Sequence, residues 1–272
     1  MLRYARQLLA SNVMGKFSDT ELNGEAESRK VEATFKNIVK NSMKPINFFA
    51  NKLLAIGLFM LVSVATYGQG RAYIKQQIRE EGECRNVAIT KTNGDLMLYG
   101  KNGCARSGCP QSLNEAITEL NNDNQFIDDV QLTENGRWLI LYGNNGFRWN
   151  DIPYSLEKKI REYNNQNEVI TSVTFNDAGD WIVITTNYFS SSDTRINEWL
   201  KEGNEKYGQL WAACVTDDAI VAVFQSGYKF FGEVPYSLKE ALRNTRLDVF
   251  RLKIAGDAWF FADKNGIYEY NM

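Results

Sequence analysis

The stretch from Val130 to Tyr163 reads V-Q-L-T-E-N-G-R-W-L-I-L-Y-G-N-N-G-F-R-W-N-D-I-P-Y-S-L-E-K-K-I-R-E-Y. An apolar-alternating strand runs to Thr133 and meets Asn135-Gly136, a pair suited to a tight hairpin turn. A second strand around Trp138 follows, then Asn145-Gly146 and a short aromatic strand. Pro153-Tyr154-Ser155-Leu156 opens a helix in which Leu156, Ile160 and Tyr163 recur at helical spacing. One strip of that helix is apolar, so it packs on one side and is wet on the other.

The unit repeats. Pro110, Pro153 and Pro235 head equivalent segments, 43 and 82 residues apart, and 82 is two periods of 41. The skipped copy is 191–200, where Ile196 stands in for the leucine and the proline is lost. Periods of this size mark stacked or ring-forming repeats. Matched first strands fall at 87–90, 130–133, 173–175, 213–216 and 252–254, and second strands at 95–99, 138–142, 181–185, 220–224 and 259–262. Third strands follow Gly103, Gly146, Gly227 and Gly266, with Asn187 in the third unit; both residue types tolerate positive φ. Ser112, Ser155 and Ser237 are placed as helix N-caps, with Glu115 and Glu240 at capping-box spacing.

Five β-β-β units result, four of them followed by a helix. The fifth stops at Met272 without one, whereas 72–80 carries Tyr73, Ile74, Gln77 and Ile78 at helical spacing. This first helix is therefore expected to cover the last β-unit, around 259–270. The fold class is a β-rich α+β ring, propeller-like, of five three-stranded antiparallel units with peripheral helices. An open stack would expose both ends and need polar caps.

Gly136-Arg137-Trp138, Asn145-Gly146-Phe147 and Pro153 to Leu156 resemble bacterial secreted propeller-like repeats of the form G-x-W…N-G-[YF]…P-x-x-L. The resemblance covers residues 86–272, implies the ring architecture and carries no catalytic signature. The third unit departs from it at the proline and the fourth at the tryptophan, having Ile220-Val221. A five-unit ring is also similar to the pentein fold of guanidine-modifying enzymes. Their catalytic histidine has no counterpart in a chain with no histidine.

Ahead of the repeats, 53–66 (LLAIGLFMLVSVAT) is an apolar run too short for a usual span of about 20 residues and suited to a signal-peptide core. Lys44 and Lys52 precede it, and Gly68 and Gly70 offer a small-residue cleavage site. Met43 is placed as a natural start, which makes 1–42 an upstream extension, 43–69 the signal segment and 70–272 a single five-repeat domain. If 53–66 is retained it becomes a short membrane anchor. The expected location is periplasmic or extracellular.

The whole chain carries a net charge of −2, and the part after residue 69, with 22 basic and 28 acidic residues, carries −6. That disfavours nucleic acid as a partner. The absence of histidine removes the usual general base, the Ser-His and Cys-His pairs and the commonest metal ligand. No phosphate-binding loop, dinucleotide fingerprint or calcium loop is present, so no cofactor is implied.

Cys104 and Cys109 align with Phe147 and Ile152 of the next unit, and a disulfide between them is expected to replace that apolar contact. Cys84 and Cys214 belong to separate units and are either paired or buried thiols. On the third strands, alternation puts Phe147 and Trp149 on one face and Arg148 on the other. Arg148, Trp149, Lys229 and Phe231 are the candidate ligand contacts, although helix packing and solvated edges account for the same pattern. Asp128-Asp129, Asp217-Asp218 and Asp177 with Asp180 are acidic pairs at strand starts and turn tips, and 188–193 is the irregular loop of the odd unit.

The leading expectation is a secreted, non-enzymatic binding or scaffold protein whose partner is a protein or glycan of the cell envelope. The alternatives are a carboxylate-based enzyme acting on a glycan or peptidic polymer, and a membrane-anchored extracytoplasmic sensor.

Overall fold

The computed structural model describes residues 70–92 and 94–272. The extension 1–42, the signal segment 43–69 and its run at 53–66 lie outside the described residues. Helix α1 occupies 70–81. The first sheet holds β1 (Asn86–Ile89), β2 (Asp95–Tyr99) and β3 (Gly103–Ser107), followed by α2 (Gln111–Asn122). The second holds β4 (Ile127–Leu132), β5 (Trp138–Tyr142) and β6 (Gly146–Asn150), followed by α3 (Tyr154–Asn165). The third holds β7 (Ile170–Phe175), β8 (Trp181–Thr185) and β9 (Phe189–Ser191), followed by α4 (Thr194–Tyr207). The fourth holds β10 (Leu210–Val215), β11 (Ala219–Phe224) and β12 (Gly227–Gly232), followed by α5 (Tyr236–Asn244). The fifth holds β13 (Arg251–Ala255), β14 (Ala258–Ala262) and β15 (Tyr268–Asn271). Every sheet is an antiparallel meander with its second strand in the middle.

Each helix is a wedge between two sheets. Leu113, Ile117 and Leu120 of α2 pack on Leu96 and Leu98 of the first sheet and on Val130 and Ile140 of the second. The arrangement repeats for α3, α4 and α5. The fifth wedge is α1: Ile74 and Ile78 are fully buried between Phe260 and Ala262 of the last sheet and Val87 and Met97 of the first. Lys75 Nζ donates to the Met272 carbonyl at 2.6 Å. The expected closure is therefore present. The helix that begins the described chain fills the gap beyond the last sheet, and five apolar wedges run unbroken around the ring.

The repeat serines do not cap. Pro110, Pro153 and Pro235 occupy the N-cap positions, and none receives a side-chain cap bond. Proline has no N–H to satisfy, and its fixed φ already suits a helix entry. The serine hydroxyls instead accept the indole N–H of the next sheet: Trp138 Nε1 to Ser112 Oγ, Trp181 Nε1 to Ser155 Oγ and Trp259 Nε1 to Ser237 Oγ, each 3.0 Å. The indole body fills the wedge while its one polar atom is satisfied. At α4 the equivalent residues are Asp193, whose carboxylate does cap the helix through Arg195 N, and Arg195, whose side chain is 90% exposed. The following sheet has Ile220 in place of tryptophan, so no indole is left without an acceptor.

The glycines that open β3, β6 and β12 are needed for space rather than for positive φ, whereas Gly266, before β15, adopts φ 80°. A Cβ on Gly103 or Gly146 would lie 2.4 and 2.6 Å from the ring of Tyr99 or Tyr142. Asn145 does adopt φ 68°. Its amide donates to Glu168 O at 2.7 Å and its side-chain oxygen accepts from Ile170 N at 3.1 Å, which pins the start of the third sheet.

The expected Cys104–Cys109 disulfide is absent, and all four cysteines are free. Cys104 is the second residue of β3 and Cys109 lies beyond its end. A strand rises about 3.3 Å per residue, which carries the two apart, whereas a disulfide needs Cα atoms within about 7 Å. Both pack on the α2 wedge, and the Cys109 thiol donates to Asp95 O at 3.4 Å. Burial pushes the Cys84 and Cys104 thiols up to about 12 and those of Cys109 and Cys214 to about 11.

Candidate functional site

The first strand of every sheet lies innermost, and register makes their residues equivalent. Asn86, Asp129, Ser172, Ala212 and Arg251 form one level, and Ala88, Gln131, Thr174, Cys214 and Lys253 the next. Most of these are polar and buried, which demands partners. Lys253 reaches from the fifth sheet to the second: its Nζ lies 2.7 Å from Asp129 Oδ1 and 3.2 Å from Gln131 Oε1. Asn86 Nδ2 donates to the same Asp129 oxygen at 2.7 Å. Burial alone would push the Asp129 carboxyl up; Lys253, Arg251 and the hydrogen bonds from Lys253 and Asn86 hold it below the usual carboxylate range. The other buried carboxylate, Asp95, is neutralised by Arg71 of α1 through two bonds of 2.6 and 2.9 Å.

The acidic pair Asp128-Asp129 separates. Asp129 enters the axis while Asp128 turns to one mouth of it. At the opposite mouth, Asp177 accepts from Thr133 Oγ1 (2.7 Å) and Asn135 N (3.0 Å), Glu134 accepts from the Lys91 and Thr92 backbone, and Asp218 meets Lys91 at 2.9 Å. Asp177 and Glu134 tie neighbouring hairpin turns together, the Asp218–Lys91 pair links the turn of the fourth sheet to that of the first across the mouth, and the cavity there is only about 60 Å³.

The Asp128 mouth is different. In the second, third and fourth sheets the first strand carries a bulge, between Ile127 and Asp129, Ile170 and Ser172, and Leu210 and Ala212. The extra residues are Asp128, Thr171 and Trp211. Bulges re-aim side chains and recur beside binding sites. With Arg85 and Phe250 they occupy the equivalent position in all five sheets. Four of the five line a cavity of about 460 Å³ together with Arg251, Gln209 and Lys264. Trp211 and Phe250 stack at 4.7 Å and 25°, and Lys264 Nζ stands 4.0 Å over the Phe250 ring.

Arg251 Nη1 donates to Thr171 O and Phe250 O, both at 3.1 Å. Among the described residues it has no carboxylate within ion-pair distance. The same holds for Arg85, which bonds Gly100 O and Ile127 O and lies 4.3 Å over Phe126. Burial raises the Asp128 carboxyl above its ordinary range, and Arg251 and Arg85 offset this in part. Trp211 Nε1 has no acceptor among the described residues, unlike the three indoles that donate to serine.

The candidates read from the sequence lie elsewhere and are not brought together. Arg148 and Trp149 are on β6, Lys229 and Phe231 on β12, with the third sheet between. Arg148 pairs with Glu119 of α2 at 2.6 Å. Trp149 stacks on Phe147 at 4.7 Å, and Arg161 of α3 covers both rings. Lys229 donates to Trp199 O (2.7 Å) and Glu202 (3.1 Å) of α4. Three of the four thus serve to dock helices, while Phe231 stays 64% exposed. Sequence reading missed Trp211, Phe250, Arg251 and Lys264. The available signal was Trp211 itself, a tryptophan standing nine residues ahead of where the repeat places one.

No protein-family model matches the chain, and no curated protein matches it.

Proposed function

We propose that this protein is an exported, non-enzymatic binding module of the cell envelope that holds its ligand at the Asp128–Trp211 mouth of the ring. One contrast carries this reading. Among the described residues, the two buried carboxylates, Asp129 and Asp95, are each held by a cation, so neither is free for acid–base work. The mouth, by contrast, offers a stacked aromatic pair beside a guanidinium that lacks a carboxylate partner. Its volume falls in the usual range of ligand pockets, ~300–1,000 Å³. Export rests on the apolar run at 53–66 behind Lys44 and Lys52. Among the described residues no helix is long and apolar enough to cross a membrane.

The test is co-sedimentation of the full-length chain with purified cell-wall and capsular-polysaccharide fractions. Wild type should co-sediment, and Trp211→Ala, with unchanged circular dichroism and melting, should remain in the supernatant. Equal sedimentation of both proteins would move the site away from this mouth. Release of reducing ends or free amines from the fractions would overturn the non-enzymatic reading.

A further inference from the structure

We propose that the mouth recognises an acidic saccharide, with a uronate carboxylate on Arg251 and the flat face of the sugar ring on Trp211. This rests on the binding reading above and specifies its ligand class.

Arg251 and Lys264 line the mouth against a single carboxylate, Asp128, whose proton affinity is raised by burial and on which Arg85 also acts from outside the cavity. The Arg251 guanidinium uses Nη1 on two carbonyls, which fixes its plane. Its other nitrogens have no partner among the described residues. A fixed guanidinium with unused N–H groups matches a carboxylate in a two-bond fork, the strongest arrangement available to a neutral-pH anion.

The shape of the mouth suits a sugar rather than a peptide. Peptides most often add a strand to an open sheet edge. Here the inner strands face the buried axis, and of the outer strands β3, β6, β9, β12 and β15 only the first residue of β6, Gly146, reaches this mouth, so no strand edge runs along it. Recognition must therefore run through side chains. The mouth offers an aromatic plate, Trp211 backed by Phe250, and beside it the hydroxyl and amide groups of Thr171 and Gln209. A pyranose has both matching surfaces: a flat C–H face for the indole and a rim of hydroxyls for amides, hydroxyls and Asp128. The indole N–H, which lacks a protein acceptor here, is a further donor for a ring substituent.

The experiment is calorimetry and intrinsic-fluorescence titration of the full-length chain with trisaccharides of galacturonate, guluronate and glucuronate. The methyl ester of each trisaccharide and an oligoglutamate of equal charge are the controls. At least one uronate should bind, quench tryptophan emission and exceed its ester by about tenfold or more. That affinity should fall with added salt. Trp211→Ala should abolish binding. Arg251→Met should erase the preference for acid over ester, and Arg251→Lys, which keeps the charge without the fork, should retain part of it.

Equal binding of acid and ester, lost in Trp211→Ala, would overturn the acidic class and leave the mouth standing as a binding site. Oligoglutamate binding as tightly as the sugars would overturn the saccharide. Uronate binding that survives Trp211→Ala would overturn both this proposal and the location of the site. No binding by any of the three uronates would overturn the proposal, while co-sedimentation would still decide the broader reading.

Discussion

Closure of the ring by α1 can be tested by matched truncation. Ile74 and Ile78 are 0% exposed, as are Leu113 and Ile117 in the α2 wedge. Replacing a buried Ile or Leu by Ala costs about 2–5 kcal/mol, the transfer of the lost carbons plus the cavity left behind. The pair Ile74→Ala/Ile78→Ala should therefore cost roughly 4–10 kcal/mol if the two add, against a typical domain stability of about 5–15. Neighbours in one cavity need not add, so the internal comparison is firmer than the sum. The double variant in α1 should destabilise as much as Leu113→Ala/Ile117→Ala in α2, because in a closed ring no wedge is terminal. Urea unfolding of both variants, followed by tryptophan fluorescence and far-ultraviolet circular dichroism, makes the comparison. In a ring the two probes should stay coincident, with the midpoint shifted alike for both wedges. A loss below about 1 kcal/mol for the α1 pair, with several for the α2 pair, would refute the argument. It would mean that α1 merely leans against a stack whose last sheet is already stable.

Four further outcomes follow from the structure. Asp129→Asn strands the Lys253 ammonium in the axis and should cost about 3–5 kcal/mol, whereas joint replacement of Asp129 and Lys253 by leucine and methionine should cost much less in thermal melts. Because the Asp129 carboxyl titrates below its unfolded value of about 3.9, its contribution is present above that pH and is lost as pH falls through the native value, so the acid limb of a melting-temperature profile should flatten in Asp129→Asn. Ser155→Ala should cost about 1 kcal/mol by orphaning the Trp181 indole, and a double-mutant cycle with Trp181→Phe should show that most of this loss is shared. Native thiols raised to about 11 or 12 should react with iodoacetamide at pH 8 at least ~100-fold more slowly than after unfolding, and intact-mass measurement without reductant should count four alkylated cysteines in urea.

Much of the architecture is written locally. Asn-Gly turns, period-two strands and prolines at helix entries act within a few residues, so their spacing discloses the units directly. Even closure was legible, because a missing helix at one end and a spare one at the other is a counting relation. Local pattern misleads where a residue's partner lies in another unit. Ser155 reads as a cap from its neighbours, yet its partner is Trp181, 26 positions on. Gly146 reads as a positive-φ residue, yet what requires it is the ring of Tyr142. Cys104 and Cys109 sit close in the chain but are carried apart by an extended strand. The site was the least legible part. It is built from one residue per sheet at a bulged position, and a bulge shifts register by one without leaving a sequence mark. Strict alternation places Asp128, Thr171 and Trp211 among ordinary strand residues, and only the fold brings all three to the same mouth.

The odd unit explains which part of the chain is the true module. Read along the sequence, the repeat is a three-stranded sheet followed by its helix, and the third copy looks defective in one place and the fourth in another. The structure joins the two defects. The serine missing from α4 and the tryptophan missing from β11 are the two halves of a single contact, found elsewhere at 3.0 Å. A lone loss of serine would bury an indole N–H without an acceptor at a cost of about 1–3 kcal/mol, whereas loss of both exchanges that polar pair for apolar packing around Ile220 and Leu200. The unit that must change together is therefore a helix with the sheet that follows it. By that division α1 with the first sheet is a whole module, and the final sheet ends the fifth. At its own version of the junction α1 substitutes an Arg71–Asp95 ion pair for serine and indole. The fourth module, relieved of a tryptophan in its wedge, carries one at the mouth instead. Its sequence departs from the repeat where structure no longer demands the motif and where the aromatic plate of the binding site begins.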